Sequence, residues 1–133
     1  MRLSRILVLA LPLLAVAARP LPRLGVAARP LPRLAVARLQ YEGGGDWYAN
    51  PSSLPNLIAA IRARTTLDVD AREWRVTLAD ERVWDFPFLH LTGHGNIHFT
   101  DAEVVRLREY LLHGGFLHAD DNYGLDDSFR REI

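Results

Sequence analysis

Three polar loops, each set directly behind a short apolar run, narrow the folds open to this chain more than any other feature. They are Gly43-Gly44-Gly45-Asp46-Trp47, Leu91-Thr92-Gly93-His94-Gly95-Asn96 and Ala119-Asp120-Asp121-Asn122-Tyr123-Gly124. The apolar runs read as strands, and the first two loops lead towards helix start signals. In an open parallel sheet the loops after the carboxyl ends of the strands gather along one edge, where ligands bind. The pattern predicts a rim on which His94, Asp120 and Asp121 converge, beside glycines that let a ligand approach the backbone.

From Arg38 onward, strand and helix signals alternate. Leu39 to Tyr41 reads as a short first strand ending in the triple glycine. Asn50-Pro51 or Ser53 is placed to cap a helix, since Asn and Ser accept from its free N–H groups and Pro suits its first turn. Leu54, Leu57, Ile58 and Ile61 then follow the spacing of one buried helical face. Trp74, Val76 and Leu78 alternate with Arg75 and Thr77, which predicts a strand near the edge of the sheet. Phe86 to Leu91 is almost continuously apolar, as a central strand buried on both faces should be, with Pro87 confined to its start. Thr100 and Glu103 fit a capping box. A stripe of Val104, Leu107 and Leu111, with Val105 and Leu112, follows. Gly114-Gly115 ends that helix, Phe116 to Ala119 is the fourth strand, and Asp127-Ser128 caps a last short helix. The order predicts a three-layer α/β domain with a mostly parallel sheet. Two full helices for four strands leave apolar surface on one face or beside the fourth strand, so the domain is expected to be incomplete at its C-terminus.

Before Arg38 the texture differs. Residues 1–38 hold seven arginines and no acidic residue, whereas 39–133 hold nine arginines and all sixteen Asp and Glu, so the net charge of zero is +7 against −7. Arg2 and Arg5, the thirteen-residue apolar stretch Ile6 to Ala18 and the small residues Ala15-Val16-Ala17 read as an export signal over residues 1–18. That stretch is too short for a bilayer core, which needs about 20 residues, so no stable membrane span is expected after cleavage. A ten-residue unit at 11–20 is nearly copied at 21–30 and in part at 31–37. Its prolines predict an unpacked linker over 19–37, with Ala35-Val36-Ala37 as a second cleavage site. The folded domain is then 38–133, periplasmic or secreted. Its acidic balance argues against nucleic acid as a partner. The absence of cysteine excludes disulfides and a thiolate nucleophile.

Tyr41-Glu42-Gly43-Gly44-Gly45-Asp46-Trp47-Tyr48-Ala49-Asn50-Pro51, taken with Leu91-Thr92-Gly93-His94-Gly95, Gly114-Gly115-Phe116-Leu117 and Ala119-Asp120-Asp121, resembles the bacterial domain of unknown function 4159 family. The similarity runs from about Arg38 to Ile133. It implies a flavodoxin-like fold akin to the glutamine amidotransferase-like superfamily, in proteins commonly exported and without an established activity. Members usually continue past the position matching Ile133, so the resemblance implies an amino-terminal portion. The missing cysteine departs from glutamine amidotransferase chemistry, because no thioester can form.

His94 between two glycines is the leading site candidate, as acid, base or metal ligand near neutral pH. Its plain alternative is a turn in which the imidazole caps a carbonyl. Asp120-Asp121 can bind a hard cation or orient His94, or one carboxylate can cap the following turn while the other is solvated. No cofactor is predicted, and a divalent cation at these residues stays open. His90 and His118 fall within strands and read as hydrogen-bonded core or edge residues, where the resemblance leads one to expect apolar or aromatic side chains. Gly43, Gly44 and Gly45 match no nucleotide fingerprint and are read as a ligand-shaping loop, with Gly93, Gly95 and Asn96 beside them. Trp47 and Tyr48 offer an aromatic wall, or simply cover the end of the sheet. Two functions are therefore expected in competition. The first is a non-catalytic binding or interaction module of the cell envelope, its partner a small molecule or an envelope protein. The second is a hydrolase using His94 with Asp120 or Asp121.

Overall fold

The computed structural model describes residues 33–133, so the export signal and most of the repeat lie outside the described residues. The elements are β1 (Val36–Leu39), α1 (Ser53–Arg64), β2 (Trp74–Val76), a 3-10 turn (Glu81–Asp85), β3 (Phe88–His94), α2 (Asp101–Leu112), β4 (Phe116–Tyr123) and α3 (Asp126–Glu132). The four strands form one sheet in the order β2-β1-β3-β4, with every pair parallel. This is the predicted α/β class, and it reproduces the first four strands of the flavodoxin-like order. β2 lies at an edge, as its alternation indicated. Among the described residues no helix is long and apolar enough to cross a membrane.

Helices lie on both faces of the sheet. On one face Val36 and Val69 pack with Leu54 and Ile58 of α1. On the other, Ala37, Leu39, Leu89 and Leu91 join Leu107 and Tyr110 of α2 and Leu125 ahead of α3 in one continuous apolar core. The period-2 alternation of a strand produces this division, since successive side chains of β1 and β3 point to opposite faces.

Several boundaries differ from the sequence reading. β1 begins at Val36 rather than Leu39, and Ala35, Val36 and Ala37 are buried. Ahead of it Leu34 exchanges backbone hydrogen bonds with Asp68 and Asp70, and Arg33 pairs with Asp68 at 3.1 Å. Residues 33–37 thus belong to the domain rather than to the linker, and cleavage after Ala37 would cut through the strand. β3 and β4 run on to His94 and Tyr123, so polar residues expected in loops stand in strands. Apolarity marks only the buried part of a strand, whereas backbone pairing continues beyond it.

The capping box at Thr100 forms as expected, with Glu103 accepting from the Thr100 backbone at 2.9 Å. α1 instead has no side-chain cap: Asn50 takes a left-handed φ of 52° and the Ser53 hydroxyl accepts from Arg38. The stripe on α2 is also turned. Leu107 and Tyr110 are buried, while Val105, Leu111 and Leu112 are exposed. Tyr110 is pinned by donating to the Phe86 carbonyl at 2.9 Å, and burial pushes its phenol up to about 12. Phe116 and Tyr123 are exposed as well, which is the apolar surface expected beside the fourth strand.

Candidate functional site

The loop after β1 lies directly against the end of β3. The Gly45 amide donates to the Asn96 carbonyl at 2.9 Å and the Asp46 amide to the His94 carbonyl at 3.3 Å. Glycine is required for this approach. A Cβ at Gly45 would stand 2.7 Å from the Asn96 oxygen, and one at Gly93, whose φ is 154°, would enter the Tyr41 hydroxyl. Tyr41 itself is buried and donates to the Thr92 carbonyl at 3.0 Å, and burial with the nearby Asp46 charge raises it to about 12. The triple glycine therefore seats one loop on another. The Gly45 and Asp46 amides serve protein carbonyls, which takes two of the loop's donors away from any anion.

That seating delivers the central pair of the site. The Asp46 carboxylate accepts from the His94 backbone amide and lies 3.0 Å from His94 Nδ1. The backbone hydrogen bond is the main reason the Asp46 carboxyl is held below the ordinary carboxylate range, and the imidazole adds to it. The His94 side chain is 55% exposed and Asp46 33%. With Nδ1 engaged, Nε2 has no hydrogen-bond partner among the described residues and is open to a ligand. The pair sits between the carboxyl ends of β1 and β3, whose following helices leave to opposite faces of the sheet. This is the switch point at which open α/β sheets bind ligands.

The expected convergence of His94 with Asp120 or Asp121 does not occur. Both carboxylates stand in β4 and point to opposite faces. Asp121 caps the next turn, accepting from the Leu125 and Asp126 amides at 3.0 and 3.1 Å. Asp120 borders a groove of about 340 Å³ with Leu54, Leu57, Phe88, His90 and His118. Among the described residues no group of three or more His, Asp or Glu side chains is placed to hold a metal ion. Asn122 takes part in the rim instead, where its side-chain oxygen accepts from Asn50 at 2.7 Å. Trp47 is half-buried against the core with Arg75 over its ring, so it covers the end of the sheet, while Tyr48 remains exposed. Gly95 and Asn96 continue the rim, the Gly95 amide donating to the Tyr123 carbonyl at 3.3 Å.

Two residues with central parts were not singled out by the sequence. Asp46 directly follows the triple glycine, but its partner is 48 residues away. Arg38 lies inside β1 with its side chain 2% exposed, bonded to Glu73, to the Ala49 and Asn50 carbonyls and to Ser53. It ties the loop carrying Asp46 to the sheet. A charged residue within a run of small apolar ones was the available signal.

A family described as Domain of unknown function (DUF4159) matches residues 35–133, from inside the first buried run to the last residue. No curated protein matches the chain.

Proposed function

We propose that this chain, which belongs to the DUF4159 family, works as an exported binding module of the cell envelope whose ligand docks at the carboxyl edge of the sheet. The observation that carries this reading is the His94–Asp46 pair, held at the switch point with Nε2 open to solvent. The side chains exposed on this rim for recognition are His94, Asn96 and Tyr48. Export rests on the basic, apolar and small-residue pattern of residues 1–18. The test is saturation-transfer NMR of the full chain with soluble peptidoglycan fragments and free envelope sugars. Binding lost in His94→Ala supports the site, and binding unchanged in that variant removes it.

Hydrolysis is the second reading, favoured by one feature. A carboxylate on Nδ1 fixes the tautomer and orientation of an imidazole, and leaves Nε2 to take a proton from water. Turnover of simple ester or phosphoester substrates, lost in His94→Ala and reduced in Asp46→Asn, would establish it. No turnover across both classes leaves the binding reading in place.

A further inference from the structure

His90 and His118 stand side by side in register at the middle of the β3–β4 pair. Their Nδ1 atoms are 2.9 Å apart, with ring planes within 17° and centroids 5.1 Å apart. At that separation one imidazole donates its Nδ1 hydrogen and the other accepts. A proton added to one ring leaves the bond intact. Protons on both rings set two N–H groups against each other. The contact therefore tolerates one charge and not two.

The surroundings favour the same outcome. Burial, the neighbouring His118 and the Arg38 guanidinium of β1 hold His90 down at about 4, against the opposing pull of Asp120 on β4 and of Glu73 ahead of β2. The α1 side chains over it, Leu54 and Leu57, carry no charge. To take a proton His90 must gain water. β1 is covered by α1 and paired on both sides, whereas β4 is an edge strand held on one side only. β4 is thus the element that yields.

What β4 holds is the rim. Its carboxyl half bonds Asn50 through Asn122 and the Gly95 amide through the Tyr123 carbonyl, and its Asp121 caps the turn into α3. α3 in turn secures the loop that follows His94. Ser128 accepts from the Ile97 amide at 3.1 Å, and Glu132 from the Phe99 amide at 2.9 Å.

We propose that the His90–His118 pair is an acid-sensitive latch: with one proton or none it keeps β4 on β3, and a second proton releases β4, α3 and the loop of residues 95–99 together. The latch acts on the order of the rim whatever the rim binds.

Hydrogen exchange of the full chain between pH 7 and pH 4, corrected for the intrinsic rate, tests this. Opening that takes up one proton should accelerate exchange about tenfold per pH unit once acidification populates it. The acceleration should be confined to residues 95–99 and 116–133, with β1 and α1 still protected. His118→Gln, which keeps a donor for His90 Nδ1 and cannot acquire a charge, should move the acceleration to lower pH, since only the burial of His90 and the Arg38 charge then oppose its proton. Imidazole nitrogen shifts of the wild-type protein provide a reading independent of any variant. If both rings become charged while β4 stays protected, for example because His118 swings into solvent, the latch is wrong. It is equally wrong if a folded His118→Gln protein opens at the same pH as the wild type.

Discussion

The two faces of this sheet are built from opposite materials. Towards α2 and α3 the strands present Ala37, Leu39, Leu89 and Leu91, an apolar surface closed by Leu107, Tyr110 and Leu125. Towards α1 the same strands present Arg38, His90 and Thr92, all buried, with His118 and Asp120 on the neighbouring edge strand. The apolar cluster there is smaller among the described residues, with Val36, Leu54, Ile58 and Val69 buried and Leu34, Ile61 and Phe88 packed against them. The first face holds the fold by removing apolar area from water, which is insensitive to pH and tolerant of local chemistry. The second holds it by the hydrogen bonds of Arg38 and of the His90–His118 pair, which fix loops in place but fail when one partner changes. The loop carrying Asp46 is tied down by Arg38 of the polar face, so the candidate site depends on the face that is easier to disturb.

Arg38→Ala is the most severe test of this contrast. It removes the guanidinium from Glu73, two carbonyls and Ser53 at once, and breaking a buried pair by deleting one member costs about 3–5 kcal/mol. Chemical denaturation should show that loss. A variant as stable as the wild type would mean the polar face contributes no hold. Leu91→Ala on the apolar face should cost roughly 2–5 kcal/mol through the cavity it leaves, with the same slope against denaturant.

Acid should separate the faces next. His90 is held at about 4 in the fold against an ordinary 6.5, so the unfolded chain binds the proton first as pH falls. Its contribution is complete above pH 6.5, declines as pH falls towards 4 and levels off below. The loss should reach about 3 kcal/mol, and denaturation curves of His90→Leu should lack that share of the pH dependence. Leu111→Ala should cost no more than about 1 kcal/mol, because that side chain is 41% exposed. A loss as large as that of Leu91→Ala would place α2 in a different rotation. The smallest effect is expected from His94→Ala, under about 1 kcal/mol by thermal unfolding, since an exposed imidazole–carboxylate contact contributes little. If it unfolds the protein, His94 is part of the frame and the site reading fails.

Much of the architecture was legible because its signals are local. The capping box at Thr100 and Glu103 needs only four consecutive residues, and the apolar run ahead of Thr92 identifies a central strand without knowledge of its neighbours. Where several apolar stripes compete, local information runs short. Val104, Leu107 and Leu111 lie on one helical surface, but the sheet takes Leu107 together with Tyr110 and turns Leu111 outward. The same limit hid the ends of β3 and β4, whose polar residues continue a ladder that only the paired backbones reveal.

Residue order and periodicity are enough to specify a parallel α/β sheet, the side on which its loops gather and the glycines those loops require, since each depends on steric and hydrogen-bonding rules acting over a few residues. The partner of His94 is a different matter. Asp46, Asp120 and Asp121 are equivalent carboxylates in the sequence, all in loops or strand ends on one rim. Close packing of a glycine loop on the end of β3 brings Asp46 to 3.0 Å, while strand alternation commits Asp121 to the α3 turn and leaves Asp120 on the α1 side. Which carboxylate meets the imidazole was decided by register and packing between segments 48 residues apart, and those are properties of the assembled sheet.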